Sequence, residues 1–283
     1  MFCDRNRREK LDIISSYCRC SKCDAIFLNP TLDESGFDDY DLVYPSTSQL
    51  ERRNLGKHFF MIYNYTLNGW LHNLPSGDGH GERILDVGCS NGRKLLDFRR
   101  RGYQVFGVDM ASDAICEANK LFGEGFHCGS LDSARYDDDY FDYVRMDNTL
   151  EHIQDPFAVL HEVKRILKPG GSLFLYVPNG ASISVRLLRG FSINSWIPFH
   201  VVLYSPATLK ATLGHAGFKK ARILTHAPPH LLISTLSQVI GKDSGCLTDF
   251  GRFTYLLWAF ALPASYILNF LPFGEEIVAV AVK

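Results

Sequence analysis

Short apolar runs alternate with amphipathic patterns between residues 83 and 178. The apolar runs predict strands at 83–87, 104–109, 125–128, 141–147 and 172–177, with helices in most of the stretches between them. This alternation is typical of βαβ units around a parallel sheet. Two more apolar runs, at 219–225 and 277–282, bring the predicted doubly wound α/β sheet to seven strands.

Two of the predicted helices have clear start signals. Asp155 precedes Pro156 and Ser205 precedes Pro206, so each pair offers an N-cap side chain followed by a proline at the first helical position. The helix after Asp155 is predicted to bury an apolar face made of Phe157, Leu160, Val163, Ile166 and Leu167. A turn at 168–171 is predicted to end that helix.

The charge balance and the cysteines narrow the class of protein. The 283 residues carry a formal net charge of -1, without the basic excess typical of nucleic-acid-binding proteins, so no nucleic-acid partner is expected. The N-terminus lacks the apolar stretch of a signal peptide, and the eight cysteines are therefore expected to be reduced thiols. A cytoplasmic location is predicted.

A glycine-rich loop follows the first predicted strand and reads Asp86-Val-Gly-Cys-Ser-Asn-Gly92. Glycines let the main chain approach a ligand closely. Asp109, at the end of the next strand, is suited to bind the hydroxyls of a ribose. NAD-binding loops need Gly-x-Gly-x-x-Gly, and here Ser90 and Arg93 occupy the second and third glycine positions. The loop therefore favours a nucleoside cofactor without a diphosphate.

Four motifs in this order resemble those of the class I methyltransferases that depend on S-adenosylmethionine (SAM). They are the loop at 86–92, Gly107-Val-Asp109, Leu150-Glu-His-Ile153 and Arg165-Ile-Leu-Lys-Pro-Gly-Gly171. The chain looks most similar to the branch that contains quinone-biosynthesis and sugar- or antibiotic-modifying enzymes. The resemblance implies SAM as cofactor, a small-molecule acceptor, and a Rossmann-like, mostly parallel sheet whose last strand is antiparallel.

The same resemblance implies where SAM binds. The residues concerned are Asp86, Gly88, Cys89, Gly92, Asp109, Met110, Ser130, Leu131, Asp147 and Asn148. The glycine loop would border the methionine part, Asp109 the ribose and Met110 the adenine. Relatives usually have an acid for the adenine amino group where this chain has Ser130, so the main-chain amide of Leu131 is the alternative contact. Asp147 and Asn148 would face the methionine end and the substrate.

Two histidines are candidate general bases, because a hydroxyl nucleophile needs a base with a pKa near neutrality. His152 follows the fourth strand, at the edge where ligands collect in open α/β sheets. His200 lies in Pro198-Phe-His200, which resembles a segment near the substrate opening in the same methyltransferases. For each histidine the alternative is a packed side chain bonded to the main chain.

Residues 1–45 are predicted to form a segment separate from a methyltransferase domain over 46–283. The Cys20-x-x-Cys23 spacing resembles the second knuckle of a zinc ribbon that precedes this domain in relatives. A ribbon needs a second pair of thiols, and only Cys3 and Cys18 lie upstream. A degenerate ribbon is therefore preferred to a zinc site that uses Cys20 and Cys23.

An uncharged segment lies within a predicted helical insertion at about 228–273. No charged residue occurs from Thr254 to Pro272, and about 18 apolar residues suffice for a membrane-spanning helix. A span there would put the sixth and seventh strands on opposite sides of a bilayer, which conflicts with a single sheet. The other interpretations of 253–273 are helices packed on the domain, a homodimer face, or a surface that rests on a membrane.

The features together predict an enzyme that transfers a methyl group from SAM to a hydroxyl or carbon atom of a glycan, quinone or related metabolite. Two alternatives stay open. The near-complete cofactor motifs speak against a non-catalytic SAM-binding protein of the same fold, while Ser130 and the incomplete ribbon mildly favour it. An NAD-dependent reductase is disfavoured by Ser90 and Arg93.

Overall fold

The computed structural model describes residues 16–22, 24–31, 74–188, 192–195, 199–239, 254–269, 271 and 273–283. The chain divides into two compact units made of non-contiguous segments. The first comprises Met1–His72, Pro178–Thr208 and Leu224–Ile277, and the second Asn73–Val177, Leu209–Ile223 and Val278–Lys283. The boundary predicted between residues 45 and 46 lies outside the described residues and stays a prediction.

A seven-stranded sheet confirms the predicted α/β fold. Its strands are β3 (Arg83–Val87), β4 (Gln104–Asp109), β5 (Phe126–Cys128), β6 (Phe141–Asp147), β7 (Leu167–Pro178), β9 (Lys220–His226) and β10 (Glu276–Val282). Their order across the sheet is β5-β4-β3-β6-β7-β10-β9. β3 pairs in parallel with β4 and with β6, and its apolar side chains are buried. The last strands are antiparallel. Strands buried on both faces explain the near-continuous apolar runs in the sequence.

Helices cover the sheet where the apolar spacing predicts them. α1 (Leu95–Arg100), α2 (Ser112–Phe122) and α3 (Pro156–Ile166) connect strands of the second unit, and α5 (Pro206–His215) precedes β9. Asp155 caps α3 as predicted, since one of its carboxylate oxygens accepts from the amides of Phe157 and Ala158 at 3.1 and 3.0 Å. Phe157 itself is exposed, contrary to the prediction, because it lies in the first turn, before the buried stripe begins at Leu160.

The strand β7 begins earlier than predicted. Leu167 is its first residue, is fully buried and pairs with Phe141, whereas the sequence pattern placed it on the helix. Lys168 Nζ lies 2.8 and 2.9 Å from the two carboxylate oxygens of Asp142. The pairing then skips from Leu167 to Ser172, which lies opposite Tyr143, and Gly170 has a φ of +79°. The predicted turn at 168–171 is therefore present as an irregularity within β7, and not as the end of the helix.

The first unit contains a small antiparallel sheet of β1 (Ser16–Arg19), β2 (Ile26–Asn29) and β8 (Val202–Leu203). The described residues of this unit also form the helices α4 (Ile183–Leu188), α6 (Pro229–Val239) and α7 (Thr254–Leu268). α6 and α7 pack through Ile233, Trp258 and Ala261. Among the described residues, no helix has the length and apolar character needed to cross a bilayer.

Candidate functional site

The glycine loop leaves β3 in a conformation that needs its glycines. Gly88 has a φ of +78°, and a Cβ built there would lie 2.3 Å from Thr149 Oγ1. Gly92 has a φ of +71°, and a Cβ there would lie 2.9 Å from the Phe126 ring. Residues with a Cβ rarely adopt such φ values. The loop therefore passes close to β5 and β6 with its main chain exposed to the edge of the sheet.

Asp109 joins the loop to the end of β4. One carboxylate oxygen accepts from the Ser90 amide at 2.7 Å, and the other accepts from the Ala111 amide at 2.9 Å. Each carboxylate oxygen has a further lone pair, so the group can still accept hydrogen bonds from a diol. The predicted ribose-binding acid and the predicted glycine loop are thus in direct contact.

The residues predicted to border the adenine follow β4 and β5. Met110 is 74% exposed and Leu131 is buried. The Ser130 hydroxyl accepts from the Ser133 amide at 3.2 Å, and the Ser130 carbonyl accepts from the Ser133 hydroxyl at 2.7 Å. The Ser130 side chain therefore organises its own turn. The adenine contacts of Met110 and Leu131 stay predictions.

A row of alternating charges lies beside the loop, at the ends of β3 and β6. Asp147 Oδ2 is 2.8 Å from Lys94 Nζ and 3.2 Å from a terminal nitrogen of Arg145. Arg145 is almost fully buried, and its guanidinium lies over the rings of Phe98 and Tyr176, at 4.9 and 5.4 Å from their centroids. A buried arginine needs such partners, because an isolated charge is costly in an apolar interior.

Asp86 completes this row and is buried. Burial raises its pKa to about 6; Arg145 and Lys94 act in the opposite direction, and Asp147 and Asp109 add to the increase. Within the described residues, Asp86 Oδ1 is buried and accepts no hydrogen bond. A buried acceptor without a donor is costly. A ligand ammonium group would supply that donor, so the residues present fit the methionine end of SAM.

Cys89 and Asn148 shape the same edge. Burial raises the pKa of the Cys89 thiol far above its ordinary value, so this side chain packs as a neutral group. Asn148 has a φ of +53°, its amide donates to the Tyr176 carbonyl at 2.9 Å, and its side chain donates to Asp147 Oδ1 at 3.0 Å. The structure therefore groups the loop, Asp109, Asp147 and Asn148 as predicted.

The two candidate bases belong to different units, and each is described within its own unit. His152 ends the short turn after β6, is partly buried, and has Nε2 3.9 Å from a carboxylate oxygen of the buried Glu151. His200 is buried in the first unit, where its Nδ1 lies 3.0 Å from the Asn194 carbonyl. The general-base roles of both histidines stay predictions.

Cys20, the first residue of the predicted knuckle, lies directly after β1 and before β2. The Cys20 amide donates to the Ala25 carbonyl at 2.8 Å, and the Asp24 amide donates to the Cys20 carbonyl at 3.0 Å. Asp24 has a φ of +60°. Cys23 lies outside the described residues, so a zinc site at Cys20 and Cys23 stays a prediction.

Sequence reasoning missed Lys94 and Arg145. Each had a signal. Lys94 precedes α1, where a positive charge opposes the helix dipole unless it has an acidic partner. Arg145 interrupts the apolar run of β6, and a charged residue in a buried strand requires a counter-charge. The partner of both is Asp147, on which the two side chains converge.

The family described as "Methyltransferase domain" matches residues 60–222, which is more than half of the 283 residues. The match contains the glycine loop, Asp109 and the charged row.

Individual relatives agree with this match. Ubiquinone biosynthesis O-methyltransferase of Xanthomonas oryzae pv. oryzae (strain PXO99A) is 37% identical over 106 residues, covering 35% of this chain and 44% of the relative. The protein of the same name from Xanthomonas euvesicatoria pv. vesicatoria (strain 85-10) is 32% identical over 151 residues, covering 49% and 63%. The chain thus spans about half the length of the curated relatives it matches.

A solved structure shows the same fold. Phosphoethanolamine N-methyltransferase 2 of Haemonchus contortus, in complex with S-adenosyl-L-methionine, superposes with a TM-score of 0.55 at 17% identity. The superposition covers 91% of this chain and 61% of that chain.

Proposed function

Since the chain belongs to the methyltransferase domain family, we propose that it binds SAM at the glycine loop and transfers its methyl group to a small molecule. The observation that carries this proposal is the contact between Asp109 and the loop, at 2.7 Å from the Ser90 amide. It puts an acceptor for ribose hydroxyls directly beside main chain that a ligand can approach closely.

The chain's own residues divide the binding of SAM among them. Asp109 accepts from the ribose hydroxyls, and Asp86 and Asp147 face the methionine ammonium group. Met110 and the Leu131 amide contact the adenine. SAM supplies a methyl group on a sulfonium, which reacts by in-line displacement, so the protein's task is to hold the acceptor atom in line and to take its proton.

The acceptor is a hydroxyl or carbon atom of a glycan, quinone or related metabolite. Two of the relatives are named ubiquinone biosynthesis O-methyltransferases, which favours a phenolic hydroxyl. Such a hydroxyl has a pKa near 10, and a histidine base lowers the barrier to its reaction near neutral pH. His200 and His152 are the candidates for that base.

Calorimetric titration tests the cofactor. Asp109→Asn removes the charge and one acceptor oxygen from the ribose site, and hydrogen bonds to charged acceptors are worth about 1.5–3 kcal/mol. We expect the Kd for SAM to rise at least about tenfold. Asp113→Asn, four residues further along and exposed, is the matched control and should leave the Kd unchanged. Binding of NAD in place of SAM would refute the proposal.

A turnover assay separates an enzyme from a binding protein of the same fold. The probe is 3,4-dihydroxybenzoate, a catechol, and the product measured is S-adenosylhomocysteine. We expect release that depends on the catechol and is reduced in Asp109→Asn at subsaturating SAM. Tight SAM binding without release on this or other hydroxyl acceptors would support the non-catalytic alternative.

The helical hairpin of α6 and α7 is proposed to rest on a lipid surface, with the protein in the cytoplasm. α7 carries no charged residue from Thr254 to Leu268, and Leu256, Phe260 and Ile267 on it are 56, 76 and 62% exposed. A helix that is apolar all round and exposed in part suits an interface with hydrocarbon. A surface of this kind would suit a lipid-linked or long apolar acceptor. A second copy of the chain is the competing occupant.

A further inference from the structure

The N-terminal hairpin is bonded to the segment that carries His200. The Tyr17 hydroxyl donates to the His200 carbonyl at 2.9 Å, and both residues are buried. The Leu28 amide donates to the Val201 carbonyl at 2.8 Å, and β2 pairs with β8 at the next residues. The predicted zinc-ribbon remnant thus serves as two strands of the sheet that holds residues 201–203.

The ring of His200 has a defined hydrogen-bonding direction. Its Nδ1 lies 3.0 Å from the main-chain carbonyl of Asn194. A carbonyl oxygen only accepts, so Nδ1 carries the proton and donates. In the neutral imidazole the lone pair is then on Nε2.

Asn194 is itself fixed by a buried polar cluster. Its side-chain amide donates to a Glu275 carboxylate oxygen at 2.9 Å and to the Glu275 carbonyl at 2.7 Å. The hydroxyl and the amide of Ser184 donate to the two oxygens of the same carboxylate. Asn194 and Glu275 are 3% and 0% exposed. Moving Asn194 would leave a buried carboxylate short of donors, which is costly.

We infer that Tyr17 and Asn194 are positioning residues that hold the His200 ring with Nε2 as its basic nitrogen. Tyr17 fixes the main chain of His200, and the Asn194 carbonyl fixes its ring. The inference rests on the proposed function, because it gives the orientation of a base whose catalytic role is proposed above. It assigns the N-terminal hairpin a part in catalysis that needs no bound zinc.

The first measurement does not depend on activity. Histidine labelled with ¹⁵N in the full chain reports which ring nitrogen carries the proton, and His200→Gln identifies the resonances of His200. We expect wild type to show one tautomer, protonated on Nδ1. Tyr17→Phe keeps the ring that packs against Ile26, Leu28 and Leu203 but removes the hydroxyl, and should give a mixture of tautomers. A wild-type ring protonated on Nε2, or an unchanged spectrum in Tyr17→Phe, overturns the inference.

The second measurement is turnover of 3,4-dihydroxybenzoate with SAM. Tyr17→Phe loses one hydrogen bond that helps to align the base, so we expect its kcat to fall by up to about tenfold. The Kd for SAM should not change, and His200→Ala should lose more kcat than Tyr17→Phe. Arg19→Gln, which breaks the exposed 2.8 Å pair with Asp24 on the same hairpin, is the control and should match wild type.

Different results would refute the positioning role and the proposed function. If wild type turns over and His200→Ala is impaired but Tyr17→Phe equals wild type, the positioning role is wrong while the proposed function stands. If wild type binds no SAM, the proposed function is wrong, and the tautomer spectrum still decides how His200 is held. Asn194→Ala tests the other positioning residue by the same tautomer measurement, because it removes the side chain that bonds to Glu275 and so holds the Asn194 carbonyl in place. Thermal unfolding confirms that this variant is folded.

Discussion

Burial makes Asp86 a residue that is easier to protonate in the folded chain than in the unfolded one. Its pKa rises from 3.8 to about 6 because the carboxylate is desolvated between β3 and its neighbours. Between those two pH values the native state holds a proton that the unfolded state has lost. The free energy of unfolding therefore falls as the pH rises through this window, and is level above it.

Asp86→Asn, whose side chain is neutral at every pH, should lack this dependence of the unfolding free energy on pH. Relative to this variant, wild type should lose about 2.4 kcal/mol of unfolding free energy between pH 4 and pH 7. Urea denaturation across that range measures it, with the exposed Asp113→Asn as a control that should run parallel to wild type. A constant difference between wild type and Asp86→Asn over the whole range would contradict the account.

Residues of the site were predictable where the chemistry is local. Gly88 and Asp109 are recognisable because a strand that ends in glycine, and an acid after the next strand, have a meaning that spacing alone conveys. Lys94 and Arg145 are different. Their role depends on which strand ends lie side by side, and Asp147, their common partner, is 53 residues from Lys94. Sequence marks these charges as unusual without naming their partner.

At the scale of elements, the turn from β3 into the loop depends on two properties of Gly88. One is a φ of +78°, and the other is the contact with Thr149, whose hydroxyl donates to the Val87 carbonyl at 3.0 Å. Gly170 has a similar φ of +79° but nothing within 4 Å of a Cβ. Comparing alanine substitutions at Gly88 and Gly170 therefore separates the cost of a positive φ from the cost of the contact with Thr149.

We predict that Gly88→Ala destabilises the protein more than Gly170→Ala. A positive φ costs an alanine about 1–3 kcal/mol, and only Gly88→Ala adds a clash. Thr149→Ala in the Gly88→Ala background should recover part of the loss, although Thr149→Ala alone destabilises by removing its hydrogen bond. Chemical denaturation of the four proteins of this double-mutant cycle measures the coupling. Equal losses in the two glycine variants, or an additive cycle, would show that the contact is unimportant.

Most elements were predicted from sequence to within about a residue, because strands buried on both faces give continuous apolar runs. The errors lie where long-range pairing outweighs local signals. β7 extends back to Leu167 because that residue pairs with Phe141 and Lys168 pairs with Asp142. A proline and two glycines at 169–171 favour a turn, and the pairing does skip these residues between Leu167 and Ser172.

For the whole molecule, the sequence predicted a sheet but not how the units are assembled from the chain. The N-terminal hairpin pairs with β8 across more than 170 residues, through Ile26 and Leu203. No periodicity in a single chain reveals such a pairing, because two short strands match many others equally well. The predicted separate N-terminal segment therefore belongs, in its described part, to the unit that also contains His200.

The exposed apolar surface of α7 gives a prediction for the protein as a whole. Wild type should float with phosphatidylcholine–phosphatidylglycerol vesicles on a density gradient, because insertion of each large apolar side chain is worth about 1.5–3 kcal/mol. Phe260→Ser with Ile267→Ser should reduce the vesicle-bound fraction more than tenfold. Leu121→Ser, at an exposed leucine of α2, is the control and should float like wild type. If wild type stays at the bottom of the gradient and sediments as a dimer that the double variant dissociates, the surface binds a second copy and not a membrane.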